Sequence, residues 1–74
     1  MNPGPGELWE FIERKQVAVG NNIATYLISA PALVINRVPS HNGNETYAYM
    51  ILWGSKLEYY STLEKNRSFG ERIS

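Results

Sequence analysis

The chain reads as an all-β protein, a small barrel of about five strands, and three observations carry that expectation. Two β-rich runs within residues 46–63 flank the two-residue turn Gly54-Ser55, and a Gly followed by a small polar residue suits the primed turns that match strand twist. Residues 23–38 are rich in Ile, Val, Thr and Tyr, side chains that fit a pleated surface. Turn signals at Gly20-Asn21-Asn22 and across residues 39–45 cut the rest into short segments.

Pro3-Gly4-Pro5-Gly6 cannot be helix or central strand, because the prolines lack N–H donors and the glycines lack restraint. Residues 1–6 are therefore expected as a flexible N-terminal arm and residues 7–74 as a single small domain. The segment from Glu7 to Gln16 carries both periods: Leu8 and Ile12 lie one helical turn apart, whereas Trp9 and Phe11 alternate as in a strand. Strand is preferred. After the Gly20-Asn21-Asn22 turn comes the longest β candidate, which should bend or bulge around Ala30-Pro31, since Pro31 cannot donate to a ladder, and continue from Ala32 to Val38. A strand that bends is how a small sheet closes on itself. Residues 39–45 form the main loop, with Asn42-Gly43 at its tip.

Counting outward from Gly54-Ser55 pairs Trp53 with Lys56, Leu52 with Leu57, Ile51 with Glu58, Met50 with Tyr59, Tyr49 with Tyr60, Ala48 with Ser61 and Tyr47 with Thr62. Residues 63–66 follow as a short turn and residues 68–73 as a final strand, in which Phe69 and Ile73 would share a face. About five strands at this spacing describe a barrel of the SH3-like type better than an open sheet.

Alternation sorts the central hairpin onto two faces. One carries Ala48, Met50, Leu52, Leu57 and Tyr59 and is expected to be core. With Leu8, Leu27, Leu33, Ile35, Leu63 and Ile73 these are the candidate core residues. The other carries Tyr47, Tyr49, Ile51, Trp53 and Tyr60 beside Lys56 and Glu58, aromatic yet charged, and is the candidate interaction surface. Tyr and Trp bring large rigid area with a polar handle, which interfaces favour. On that reading Trp53→Ala leaves the fold intact and weakens association. The alternative is that the barrel itself covers this face.

Some of these residues carry a resemblance. The opening Pro5-Gly6-Glu7-Leu8-Trp9, the strand ending in Leu52-Trp53-Gly54, the following Leu63-Glu64 and the closing Arg72-Ile73-Ser74 resemble the layout of small, mostly uncharacterised SH3-like β-barrel proteins of tailed bacteriophages, especially those of marine and cyanobacterial phages. The resemblance spans nearly the whole chain through short motifs. It implies a small barrel and a viral source, with residence in host cytoplasm or virion, and it implies no known activity.

Composition excludes much. Ordering 74 residues costs about 1.5 kcal/mol each, roughly what so short a chain recovers from apolar burial, so modest stability or self-association is expected. With no Cys there are no disulfides, thiolate metal sites or cysteine nucleophiles, in keeping with a reducing compartment. No basic n-region precedes an apolar run at the N-terminus, and the longest apolar run is interrupted by Ser29, Pro31 and Asn36, so a cytoplasmic protein without a membrane role is expected. The matches to the N-glycosylation pattern at Asn44-Glu45-Thr46 and Asn66-Arg67-Ser68 then read as coincidence.

Catalysis lacks its parts. His41 is the single histidine, set among loop-forming Ser40, Asn42 and Asn44, and all seven acidic residues are Glu. Glu7, Glu10 and Glu13 read as a solvated edge. No P-loop is present. No enzyme activity, cofactor or metal is expected.

Three function classes remain. The first is a non-catalytic protein–protein interaction or structural assembly module, with a protein partner or a second copy on the aromatic face. The second is a nucleic-acid-binding barrel that stacks bases on the same aromatics and contacts phosphate through Arg37, Lys56 and Arg67. Seven basic against seven acidic residues supply no bulk attraction for polyphosphate, so nucleic acid is second choice. The third, prompted by the phage resemblance, is a factor that inhibits a host enzyme by covering its surface.

Overall fold

Five antiparallel strands form one sheet in a computed structural model that describes residues 2–39 and 47–74, the side chains of residues 39 and 47 aside. They are β1 (Leu8–Val19), β2 (Asn22–Pro39), β3 (Tyr47–Trp53), β4 (Lys56–Ser61) and β5 (Arg67–Arg72). Their order across the sheet is β4-β3-β2-β1-β5. The all-β expectation holds, and the ambiguous first segment is strand from Leu8 onward. The expected loop at 39–45, with His41 in it, falls outside the described residues apart from the end of β2.

The β3–β4 hairpin has the register that turn counting gives, from Trp53 opposite Lys56 to Ala48 opposite Ser61. Gly54 takes φ +64°, a conformation that L side chains rarely adopt, which is why a glycine opens this two-residue turn. Gly20, at φ +62°, does the same where Val19 meets Asn22 at the tip of the β1–β2 hairpin.

Pro31 does not break β2. It lies opposite Glu10 in the β1 ladder, and β3 joins β2 only from Ala32 onward, so the N–H it lacks faces an edge with no acceptor to serve. The irregularity falls instead between Val34 and Asn36, where Ile35 is the extra residue against β3. A second register shift separates Trp9–Arg72 from Phe11–Phe69, with Gly70 and Glu71 between them on β5. That shift reverses the alternation, so Phe69 packs on the core while Ile73 is exposed.

The sheet curls without closing. β4 and β5 are its two edges, and across the gap the Tyr60 hydroxyl donates to the Arg67 carbonyl at 3.1 Å while Arg67 Nη2 donates to the Tyr59 carbonyl at 2.9 Å. One arginine side chain stands where a barrel would place a ladder. The segment expected to be a free arm is tied down: Pro3 is buried, the Gly4 N–H donates to Glu7 Oε1 at 2.8 Å, and the Gly6 N–H donates to the Val34 carbonyl at 2.8 Å.

The core lies on the inner face and consists of Trp9, Phe11, Ala32, Val34, Tyr49, Ile51 and Tyr60, with Trp53 and Phe69 packed against them. Phe11 sits at its centre, with the rings of Trp53, Tyr60 and Phe69 at 5.0, 5.0 and 5.2 Å in edge-to-face contact. Each such pair adds about 0.5–1.5 kcal/mol beyond area burial.

Candidate interaction surface

Alternation along β3 and β4 separates the two faces as expected, but the structure buries the opposite one. Tyr49 is 2% exposed, Ile51 0% and Tyr60 4%, so three of the residues proposed for an outward surface are core. Trp53 is half-buried, and its indole N–H donates to the Ala30 carbonyl at 3.2 Å. Lys56 is exposed at the rim, and Glu58 is paired with Arg67 at 2.9 Å. Tyr47 opens β3 opposite Pro39, and its side chain lies outside the described part. The candidate core is inverted to match, except that Ala48 is buried as expected: Leu27, Leu33, Ile35, Leu52, Leu57, Tyr59, Leu63 and Ile73 are exposed, and Leu8 and Met50 are half-buried.

Long-range pairing decides this. β1 and β5 place Trp9, Phe11 and Phe69 on the side of Tyr49, Ile51 and Tyr60, and that aromatic set outweighs the aliphatic one. The charge that made the face look outward is neutralised locally. Arg67 bonds Glu64 at 2.7 Å and Glu58 at 2.9 Å, and its guanidinium carbon lies 5.8 Å from the centres of the Phe11 and Tyr60 rings. Burial and the Glu64 charge raise the Tyr60 phenol above its usual range, the nearby Arg67 acting in the opposite sense. The Arg67 hydrogen bond holds Glu64 below the ordinary glutamate value, and the Ser61 N–H adds to it. Glu7 is lowered by the Gly4 N–H and then by the Trp9 indole N–H. From the sequence Arg67 stood only as a candidate phosphate contact. Its spacing of three from Glu64 was the one local sign of this role.

The outer face is where apolar surface remains. Leu8, Leu33, Leu52 and Leu57 stand opposite one another in successive pairs across β1, β2, β3 and β4, and Met50 and Tyr59 form the neighbouring pair. Leu57 is 63% exposed and Tyr59 51%. Monomeric soluble proteins rarely leave so continuous an apolar strip uncovered.

The β1–β2 hairpin reaches beyond the sheet. β5 pairs β1 only as far as Glu13, and β3 pairs β2 only from Ala32, so residues 15–26 form a two-stranded ribbon. Counting Leu27 and Ile28 at its base, it exposes six apolar residues on its two faces, Val17, Val19, Tyr26 and Ile28 on one and Ile23 and Leu27 on the other. The sequence signal for it was the run from Gln16 to Asn36, which contains no Asp, Glu, Lys or Arg.

His41 is outside the described residues, and among those described no group of three or more His, Asp or Glu could hold a metal ion. A shallow cleft lined by Glu10, Ser29, Pro31, Glu71 and Arg72 has its Glu10 carboxylate engaged by the Ser29 hydroxyl at 3.0 Å. Among the described residues no helix is long and apolar enough to cross a membrane.

These features define a small all-β protein with an open, curled antiparallel sheet, an aromatic inner face and an aliphatic outer one. No family model, no curated protein and no solved structure matches the chain.

Proposed function

We infer that the protein is a non-catalytic interaction or assembly module that works through its outer sheet face rather than through the aromatic face of the β3–β4 hairpin. The observation that carries this reading is the aliphatic row Leu8, Leu33, Leu52 and Leu57, continued by Met50 and Tyr59. Interface cores are apolar and depleted of charge, as this strip is. Base stacking loses its platform, since Tyr49 and Tyr60 are buried and Arg67 is held by two carboxylates. The curled sheet, with Arg67 bridging its edges, is consistent with an open form of the small SH3-like barrel, and the phage-like layout supports a role in viral assembly or in covering a host protein.

The test is the double variant Leu52→Lys/Leu57→Lys beside wild type, read by solution mass and by binding of an apolar dye. Wild type should bind dye, and the variant should bind far less while keeping its circular dichroism. A wild type that neither binds dye nor associates would remove the basis for the outer-face reading.

A further inference from the structure

The projecting ribbon has an edge as well as two faces. The Arg14 N–H donates to the Asn66 carbonyl on the β5 side, so Arg14 and its partner Leu27 form a pair whose backbone groups point away from each other. Ladder alternation then places the N–H and C=O groups of Ile23, Thr25, Leu27 and Ser29 on the open edge of β2. Among the described residues nothing guards this edge. From Asn22 to Ser29 it has no charge, no proline and no bulge, the devices by which natural sheets keep edges from pairing, and Pro31 marks its end.

We propose that this edge pairs antiparallel with the same edge of a second copy, joining two ribbons into a four-stranded sheet about a two-fold axis. The proposal rests on the assembly reading above and names the partner. Charge selects a second copy: the edge strand from Asn22 to Ser29 carries no charged residue, Arg14 and Lys15 lying on the strand behind it, so two such edges meet without like charges opposite one another, and an acidic or basic partner would find no complement on the edge. A lone two-stranded ribbon is marginal in water, and pairing gives it the further strands that stability needs. An edge-to-edge contact is isologous, so it closes at two copies. Area sets its strength. At ~25 cal/mol per Å², the ~1.5–3 kcal/mol of one buried aliphatic side chain corresponds to ~60–120 Å², and the six exposed apolar residues of the ribbon, each partly covered already, fall short of the ~800 Å² per partner of a permanent interface. The dimer should therefore dissociate on dilution.

Thr25→Pro provides the decisive variant, because its N–H faces the edge and no bond inside the hairpin is lost. Wild type should pass from 8.4 kDa to twice that mass across a concentration series in sedimentation, and Thr25→Pro should associate at least tenfold more weakly with unchanged circular dichroism. The chain has no cysteine, so a scan of Ile23→Cys, Thr25→Cys and Leu27→Cys under oxidation should yield a crosslinked dimer at the position nearest the axis, and Val17→Cys on the other strand should not. The scan stands even if the proline variant fails to fold. A wild type monomeric throughout, open-ended growth, or a Thr25→Pro that pairs like wild type overturns edge pairing. If association instead disappears in Leu52→Lys/Leu57→Lys alone, edge pairing is wrong and the outer-face reading stands.

Discussion

Ile51 and Leu57 sit on neighbouring strands and opposite faces, so truncating each to alanine tests which face holds the protein together. Ile51 is 0% exposed within the aromatic cluster, and its loss removes buried methyl groups and leaves a cavity, a change that costs about 2–5 kcal/mol. Leu57 is 63% exposed, so roughly a third of the ~1.5–3 kcal/mol of full leucine burial is at stake, or about 0.5–1 kcal/mol. At ~0.05–0.15 kcal/mol per residue a chain of this size has only about 4–11 kcal/mol in total, so Ile51→Ala removes a large share. Urea unfolding of dilute protein, followed by the emission of Trp9 and Trp53, reads the difference. With a slope near ~1 kcal/mol/M, the Ile51→Ala midpoint should fall by at least ~2 M and that of Leu57→Ala by under ~1 M. Equal losses, or a larger loss for Leu57→Ala, would refute the assignment of the inner face.

Arg67→Met keeps the aliphatic stem but leaves Glu58, Glu64 and the Tyr59 carbonyl without their donor; because both carboxylates are about a third exposed and can rehydrate, the cost should be about 2 kcal/mol, below that of a fully buried pair, and a double-mutant cycle with Glu64→Gln should show coupling. Stability should fall at both ends of the pH scale. Glu64 and Glu7 are lowered in the folded state, so their contribution is complete above the ordinary glutamate pKa of ~4.3 and is lost as pH falls through their folded values; Tyr60 is raised, so its contribution is complete below ~10 and is lost as pH rises through its folded value. Thermal melts across pH check both limbs, with Glu64→Gln flattening the acid one and Tyr60→Phe the alkaline one. Trp53→Ala should cost about 2 kcal/mol in urea unfolding, since it removes an edge-to-face partner of Phe11 and half-buried area; an unchanged midpoint would return Trp53 to the surface.

The strands, the turns and the register of the central hairpin were legible because they depend on short-range rules. A two-residue turn opened by glycine sets which residues oppose one another, and the period of two then sorts them onto faces. That period is blind to which face is inward. When both faces are apolar, as Met50, Leu52 and Tyr59 on one side and Tyr49, Ile51 and Tyr60 on the other make them here, local pattern cannot choose. Residues far away in the chain choose: Trp9 and Phe11 from β1 and Phe69 from β5 arrive on the aromatic side and complete a core there. The shifts at Ile35 and at Gly70-Glu71 reverse the alternation partway along their strands, which is why Ile73 parted from Phe69. Whether the sheet closes depended likewise on contacts that neighbouring residues do not encode, above all the reach of Arg67 from one edge strand to the other. Sequence determined the strands because backbone geometry is local; tertiary structure decided inside from outside because burial is a property of the whole chain.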